Sequence, residues 1–140
     1  MTPAFSDVEV GYELPSQVFA ITRADLVRYC GASGDFNVIH WNERVATSVG
    51  LPNVIAHGMF TMAEAVRVVT DWLGDPGALL DYGCRFTRPV VVPDDDRGAT
   101  LTVSAKVTEK RDDNTALITI TASSEDATVL GKAQAVVRLP

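Results

Sequence analysis

Residues 58–73 read GMFTMAEAVRVVTDWL, and this stretch decides the fold. Met59, Met62, Ala63, Val66, Val69 and Leu73 recur at steps of three and four, the spacing of one helical face. Phe60, Ala65, Val68 and Trp72 add apolar surface on other faces, and Gly74 supplies a residue suited to closing a helix. A helix apolar nearly all round belongs in a core, so other elements must surround it.

Outward from that helix the hydrophobic period changes from about 3.6 to 2. Leu101, Val103, Ala105 and Val107 alternate with Thr102, Ser104, Lys106 and Thr108, the pattern of a half-buried strand. A turn at 111–114 (RDDN) leads to a β-branched strand at 115–122 (TALITITA). A second turn at 123–126 (SSED) leads to a last strand over 128–139. Residues 79–88 (LLDYGCRFTR) read as another strand, ended by Pro89 and the connection at 93–96 (PDDD). Links of hairpin length imply antiparallel pairing.

Upstream, 17–22 (QVFAIT) reads as a first strand, and Thr22 with Asp25 three residues on has the form of a capping box. It opens a short helix over 25–29 that ends in the loop 31–34 (GASG). A further short helix over 42–49 has Asn42 as its cap and Gly50 as its stop. One early strand, a buried helix and then several antiparallel strands make an α+β architecture, expected as a single domain over residues 1–140. About five strands around one helix leave a face and an edge uncovered. A second copy or a related subunit is the expected cover.

Composition narrows the function classes. The chain is 46% hydrophobic, enough for a real core, and 12 Lys and Arg against 18 Asp and Glu leave a net charge of −6. That balance argues against general nucleic-acid binding, and no polybasic tract addresses an anionic membrane. The apolar runs are too short for a membrane span. The opening MTPAFSDVEVGYELP has neither a basic nor an apolar leader region, so a cytoplasmic location is expected. Cys30 and Cys84 lack C-x-x-C spacing and suit a reducing compartment.

Histidine is the usual acid–base group near neutral pH, and the chain has two, His40 and His57. Asp35 precedes His40 by five residues in GDFNVIH, a loop between two short helices. Such a bend can bring a carboxylate and an imidazole to opposite sides of one reacting atom. On spacing alone the same residues also read as a Gly-Asp turn and a packed histidine. His57 stands before the long helix, where capping or packing is the simpler role. Gly58 opens that helix, whose free amides suit a developing oxyanion, and a glycine permits close approach of a carbonyl. Asn37 reads as a brace for the loop. Cys30 paired with His40 is a poor nucleophile without an orienting third group, and Cys84 reads as a small buried hydrophobe. Asp94–Asp96 reads as a solvated turn rather than a cation site.

Read together, residues 29–40 (YCGASGDFNVIH), with Ala46 six positions on, resemble the signature of the MaoC-like hydratases and dehydratases. That signature runs aromatic, small residues, Gly-Asp-x-Asn-Pro, an aliphatic and His; Val38 stands where the family has Pro. Residues 55–59 (IAHGM) resemble the family's second motif, and Arg85-Phe86 also fits. The resemblance runs from about Val8 to Leu139, and is greatest to the catalytic β-subunits of the actinobacterial (3R)-hydroxyacyl-carrier-protein dehydratases. It implies a hotdog fold and (R)-specific interconversion of 3-hydroxyacyl and 2-enoyl thioesters. It assigns Asp35 and His40 as the catalytic pair and the Gly58 amide as the oxyanion hole. Asn37 and His57 are supporting residues, and no metal or organic cofactor is implied. The implied partners are an acyl-CoA or acyl carrier protein substrate and either an identical or a homologous hotdog subunit. Two rival readings are a hotdog thioesterase using Glu64 or Asp71 of the long helix, and a non-catalytic subunit shaping a partner's acyl tunnel.

Overall fold

The helix read from residues 58–73 is present from end to end. In the computed structural model, which describes Met1–Pro140, the elements run β1 (Glu13–Ile21), α1 (Arg23–Ser33), α2 (Glu43–Ser48), α3 (Gly58–Leu73), β2 (Leu79–Phe86), β3 (Ala99–Lys110), β4 (Thr115–Ser124), β5 (Ala127–Thr128) and β6 (Leu130–Arg138). Five strands form one antiparallel sheet in the order β1-β3-β4-β6-β2, and β5 adds a two-residue pairing to β4. The sheet curls around α3, so β1 and β2, consecutive around the helix in sequence, end up as its two free edges.

The core forms where the inward strand positions meet the helix. Val103, Ala105 and Val107 of β3 stand opposite Ala122, Ile120 and Ile118 of β4. Ile118 and Ile120 in turn stand opposite Ala135 and Ala133 of β6. Alanines set opposite larger residues leave room on the concave face for the side chains of α3. The helix contributes Ala65, Val68, Val69 and Leu73, all buried. This inner stripe is shifted from the one that the repeat suggested, because Met59 and Ala63 are exposed. One flank of α3 therefore remains uncovered in the single chain.

Local signals account for most boundaries. The Thr22 side chain accepts from the Asp25 amide while the Asp25 carboxylate accepts from the Thr22 amide, a complete capping box. Asn42 caps α2 through the Val45 amide. Gly34 and Gly74 take left-handed conformations at the ends of α1 and α3. Three expectations are corrected. Helix α1 continues through Gly31, which the sequence reading placed in a loop, and stops only at Gly34. Strand β1 begins four residues earlier than expected, and Pro15 sits at a bulge between Leu14 and Gln17 where an edge strand tolerates a missing donor. The last strand is broken at Val129, and Lys132 just beyond has a positive φ of 47°. No helix is long and apolar enough to cross a membrane.

Candidate active site

The loop between α1 and α2 owes its shape to short-range hydrogen bonds that its own sequence provides. Ser33 Oγ donates to the Tyr29 carbonyl and accepts from the Asp35 amide. Asp35 Oδ1 accepts from the Asn37 amide, and Asn37 Oδ1 accepts from the Ile39 amide. These are Asx turns, in which a side-chain oxygen stands in for a backbone carbonyl. Asn37 thus opens a 3-10 turn over Val38–His40. Valine at 38 leaves this turn intact. The Asp35 carboxylate remains solvent-exposed with one oxygen engaged.

His40 is held from the other side. Residues 54–56 run beside residues 90–92 through the Val92 N–Val54 O and Ala56 N–Val90 O bonds, and Val54, Ala56, Val90 and Val92 are all buried. This unforeseen short pairing presents the Ile55 carbonyl to His40, whose Nδ1 lies 2.7 Å away. A carbonyl only accepts, so Nδ1 carries the proton and Nε2 of the neutral ring is left as an available base. Burial holds the His40 pKa below the ordinary 6.5. The Ile55 bond and Asp35 oppose that shift and His57 adds to it.

His57 does not cap α3 with its side chain. It is buried, its ring stacks on His40 at 3.7 Å between centroids, and its Nε2 lies 3.1 Å from the Asp35 carbonyl. One polar side-chain atom from each of Asp35, His40 and His57 lies within 4.8 Å of the other two. Two near-parallel imidazoles, 22° apart, aim their in-plane lone pairs alongside each other rather than at one point. Each ring also spends one nitrogen on a carbonyl. The trio therefore fits a metal ion poorly.

Gly58 follows directly. The first helical hydrogen bond of α3 is Thr61 N to His57 O, so the amides before it are uncapped at the positive end of the helix. A Cβ at Gly58 would lie 2.9 Å from the Phe86 ring, so glycine permits Phe86 to lie over the helix start. A cavity of about 270 Å³ joins these features, lined in part by His40, Gly58, Thr61, Phe86, Arg88 and Leu130. Phe86 belongs to the Arg85-Phe86 match on β2, but Leu130 enters the wall because the last strand breaks beside it. Gly131, whose Cβ would meet the Thr87 methyl at 2.8 Å, is the trace of that break in the sequence.

Other candidates fall away from the cavity. Cys30 is buried, its thiol is pushed up by burial and by Asp35, and it neighbours His57 rather than His40. Burial also pushes up the half-buried Cys84 thiol. Glu64 pairs with Arg67 at 3.0 Å, and Asp71 accepts from Gln17. Asp95 closes its own turn onto the Arg97 and Gly98 amides.

The His40 environment predicts a pH effect on folding. The unfolded chain binds the His40 proton more readily than the folded one. Stability from the neutral ring is therefore fully present above pH 6.5 and is lost as pH falls through the lowered folded-state value. Urea unfolding at pH 7.5 and 5.5 is expected to show a larger loss for the wild type than for His40→Gln. An equal loss contradicts the neutral assignment.

Comparisons with known proteins converge on one family. A family model described as the MaoC like domain matches residues 9–128. The 3-hydroxyacyl-thioester dehydratase X of Mycobacterium tuberculosis is 40% identical over 79 residues, 56% of this chain and 27% of that protein. The (R)-specific enoyl-CoA hydratase of Rhodospirillum rubrum is 32% identical over 108 residues, 76% of this chain and 74% of that protein. Among solved structures, a MaoC-like dehydratase superposes with a TM-score of 0.96 at 39% identity, over 99% of this chain and 43% of its own. The (R)-hydratase from A. caviae gives 0.83 at 26% identity over 95% of this chain and 98% of its own. The chain thus spans less than half of the two longer proteins and most of the two shorter ones. Sheet, helix and relatives together are those of the expected hotdog fold.

Proposed function

Because the chain belongs to the MaoC-like domain family, we propose that it is an (R)-specific hydro-lyase interconverting (3R)-3-hydroxyacyl and trans-2-enoyl thioesters. The observation that carries this reading is the shared site. His40 with a free Nε2 and the uncapped amide of Gly58 line one cavity, and an Asp35 carboxylate oxygen lies within 4.8 Å of a His40 ring nitrogen. In dehydration, His40 Nε2 takes the C2 proton, the C2–H electron pair becomes the C2–C3 double bond, and the C3–O bond breaks. The hydroxyl leaves as water with a proton from the carboxyl form of Asp35, and the proton now on His40 passes back to Asp35 to restore both groups. Hydration runs the same transfers backwards. Charge that develops on the thioester carbonyl is received by the Gly58 amide at the positive end of α3. This chemistry is proton transfer throughout and calls for no cofactor.

Two rival readings have less support. Glu64 faces a separate cavity of about 460 Å³ beside Phe19 and Arg67, and Asp71 is tied to β1, so neither acid of α3 reaches His40. A purely structural subunit has no use for an intact Asp35–His40 pair. We place residues 1–140 in the cytoplasm as one hotdog unit that pairs with an identical or homologous subunit through the free β2 edge. Exposed Met59, Leu80 and Phe86 lie on and beside that edge. The acyl carrier is CoA or an acyl carrier protein. Chiral chromatography of the hydration product of trans-2-butenoyl-CoA is expected to give the (R)-3-hydroxyacyl thioester, because the loop fixes the pair on one face of the alkene. A mainly (S) product overturns the assignment.

A further inference from the structure

We propose that His57 is a positioning residue that couples the two reacting groups, holding the Asp35 peptide through Nε2–H while its ring face seats His40. The inference rests on the hydro-lyase reading and adds a function for a histidine which that chemistry leaves unused.

The geometry defines the state of the ring. Nε2 lies 3.1 Å from the Asp35 carbonyl oxygen, which only accepts, so Nε2 carries the proton. Cys30 Sγ lies 3.6 Å from the same nitrogen and lends at most a weak acceptor. The Tyr29 ring meets His57 edge-on at 4.7 Å and 64°, opposite in character to the 22° stack on His40. The ring is thus fixed by two aromatic neighbours and one hydrogen bond. Nδ1 is buried with no partner. The residue as a whole is 1% exposed to solvent.

The Nε2–H of His57 is thus committed to Asp35, which leaves Nε2 of His40 as the free ring nitrogen of the stacked pair. The titratable and charged groups facing the pair are few. Helix α1 brings Cys30 and Tyr29, the following loop brings Asp35, and Arg88 stands across the cavity. The first turn of α3, Gly-Met-Phe-Thr, brings no charge. An unpartnered buried nitrogen costs stability, and the structure retains it where a single ring must both donate to Asp35 and stack on His40.

With only two histidines in the chain, long-range ¹H–¹⁵N spectra of the whole protein assign both tautomers directly. The expected result is an Nε2–H ring at His57 beside an Nδ1–H ring at His40. An Nδ1–H ring at His57 overturns the proposal. Kinetics separate positioning from packing. His57→Gln places an amide nitrogen near the lost Nε2, whereas His57→Phe keeps an aromatic face and loses the donor. Phe is expected to lower kcat for trans-2-butenoyl-CoA at least about tenfold with KM within about twofold, the scale of a small misplacement. Gln is expected to retain at least about fivefold more kcat than Phe. Equal losses, or a loss confined to KM, contradict the role. If the folded wild type hydrates no enoyl thioester, the hydro-lyase reading fails, while the tautomer spectra still decide the coupling.

Discussion

His40→Ala and Asp35→Asn are each expected to lower hydration of trans-2-butenoyl-CoA at least about a hundredfold, the usual share of a positioned acid or base. The two changes remove different proton transfers. His40→Ala deletes the nitrogen facing C2, while Asp35→Asn keeps the loop's size but replaces a proton acceptor with a donor and a poor base. Asparagine can still accept from the Asn37 amide as Asp35 does, so the turn should survive. His40 bonds the Ile55 carbonyl, and its loss leaves that acceptor to water, a cost of about 1–3 kcal/mol. Both variants should therefore fold. In the double variant the losses should fall well short of multiplying, since groups that act in one transition state lose their value together. A folded variant with near-wild-type turnover sinks the pair. Steady-state rates beside circular dichroism make the comparison.

Gly98→Ala is expected to cost the fold about 3 kcal/mol or more, far beyond what adding one methyl usually does. Gly98 has a φ of 67°, and its Cβ would run into the Ile21 carbonyl, with the carbonyl carbon 2.7 Å away and Thr22 Cα 3.0 Å away. These are backbone atoms at the point where Ile21 pairs with Ala99, so relief requires the entire β1–β3 register to open at that end. Gly50→Ala is the control. Gly50 also has a positive φ, 92°, but nothing lies within 4 Å of the added methyl. Only the left-handed strain remains there, about 1 kcal/mol. Urea unfolding of the two variants should give clearly different midpoints, and equal losses contradict the crowding argument.

These two cases mark what the sequence makes legible. Elements fixed by local chemistry are readable, as with α3 between Gly58 and Gly74 and the capping box at Thr22 and Asp25. The alternation along β3 is readable because one face is buried, and a period of 2 follows from that. Features set by long-range geometry are hidden. The pairing of residues 54–56 with 90–92 carries no periodic signal because each side is three residues long, yet it orients His40. The face of α3 that meets the sheet is ambiguous in an all-round apolar helix, and the sheet selects Ala65 and Val68 over Met59. Gly98 gave no warning either, since its constraint comes from a strand 77 residues earlier, at Ile21. At the site, the resemblance to the family's motifs is what pointed to Asp35, His40 and Gly58, since spacing alone left a turn and a packed histidine open. The tautomers of both histidines, and the Leu130 wall, depend on where carbonyls and broken strands fall in three dimensions.

The most direct test of the central claim is a paired progress curve with the purified wild-type chain. One reaction contains trans-2-butenoyl-CoA followed by its enone absorbance, and the other contains saturated butanoyl-CoA followed by release of free thiol. The account predicts that enone absorbance falls and no thiol appears in either reaction. Thiol release with unchanged enone absorbance contradicts it.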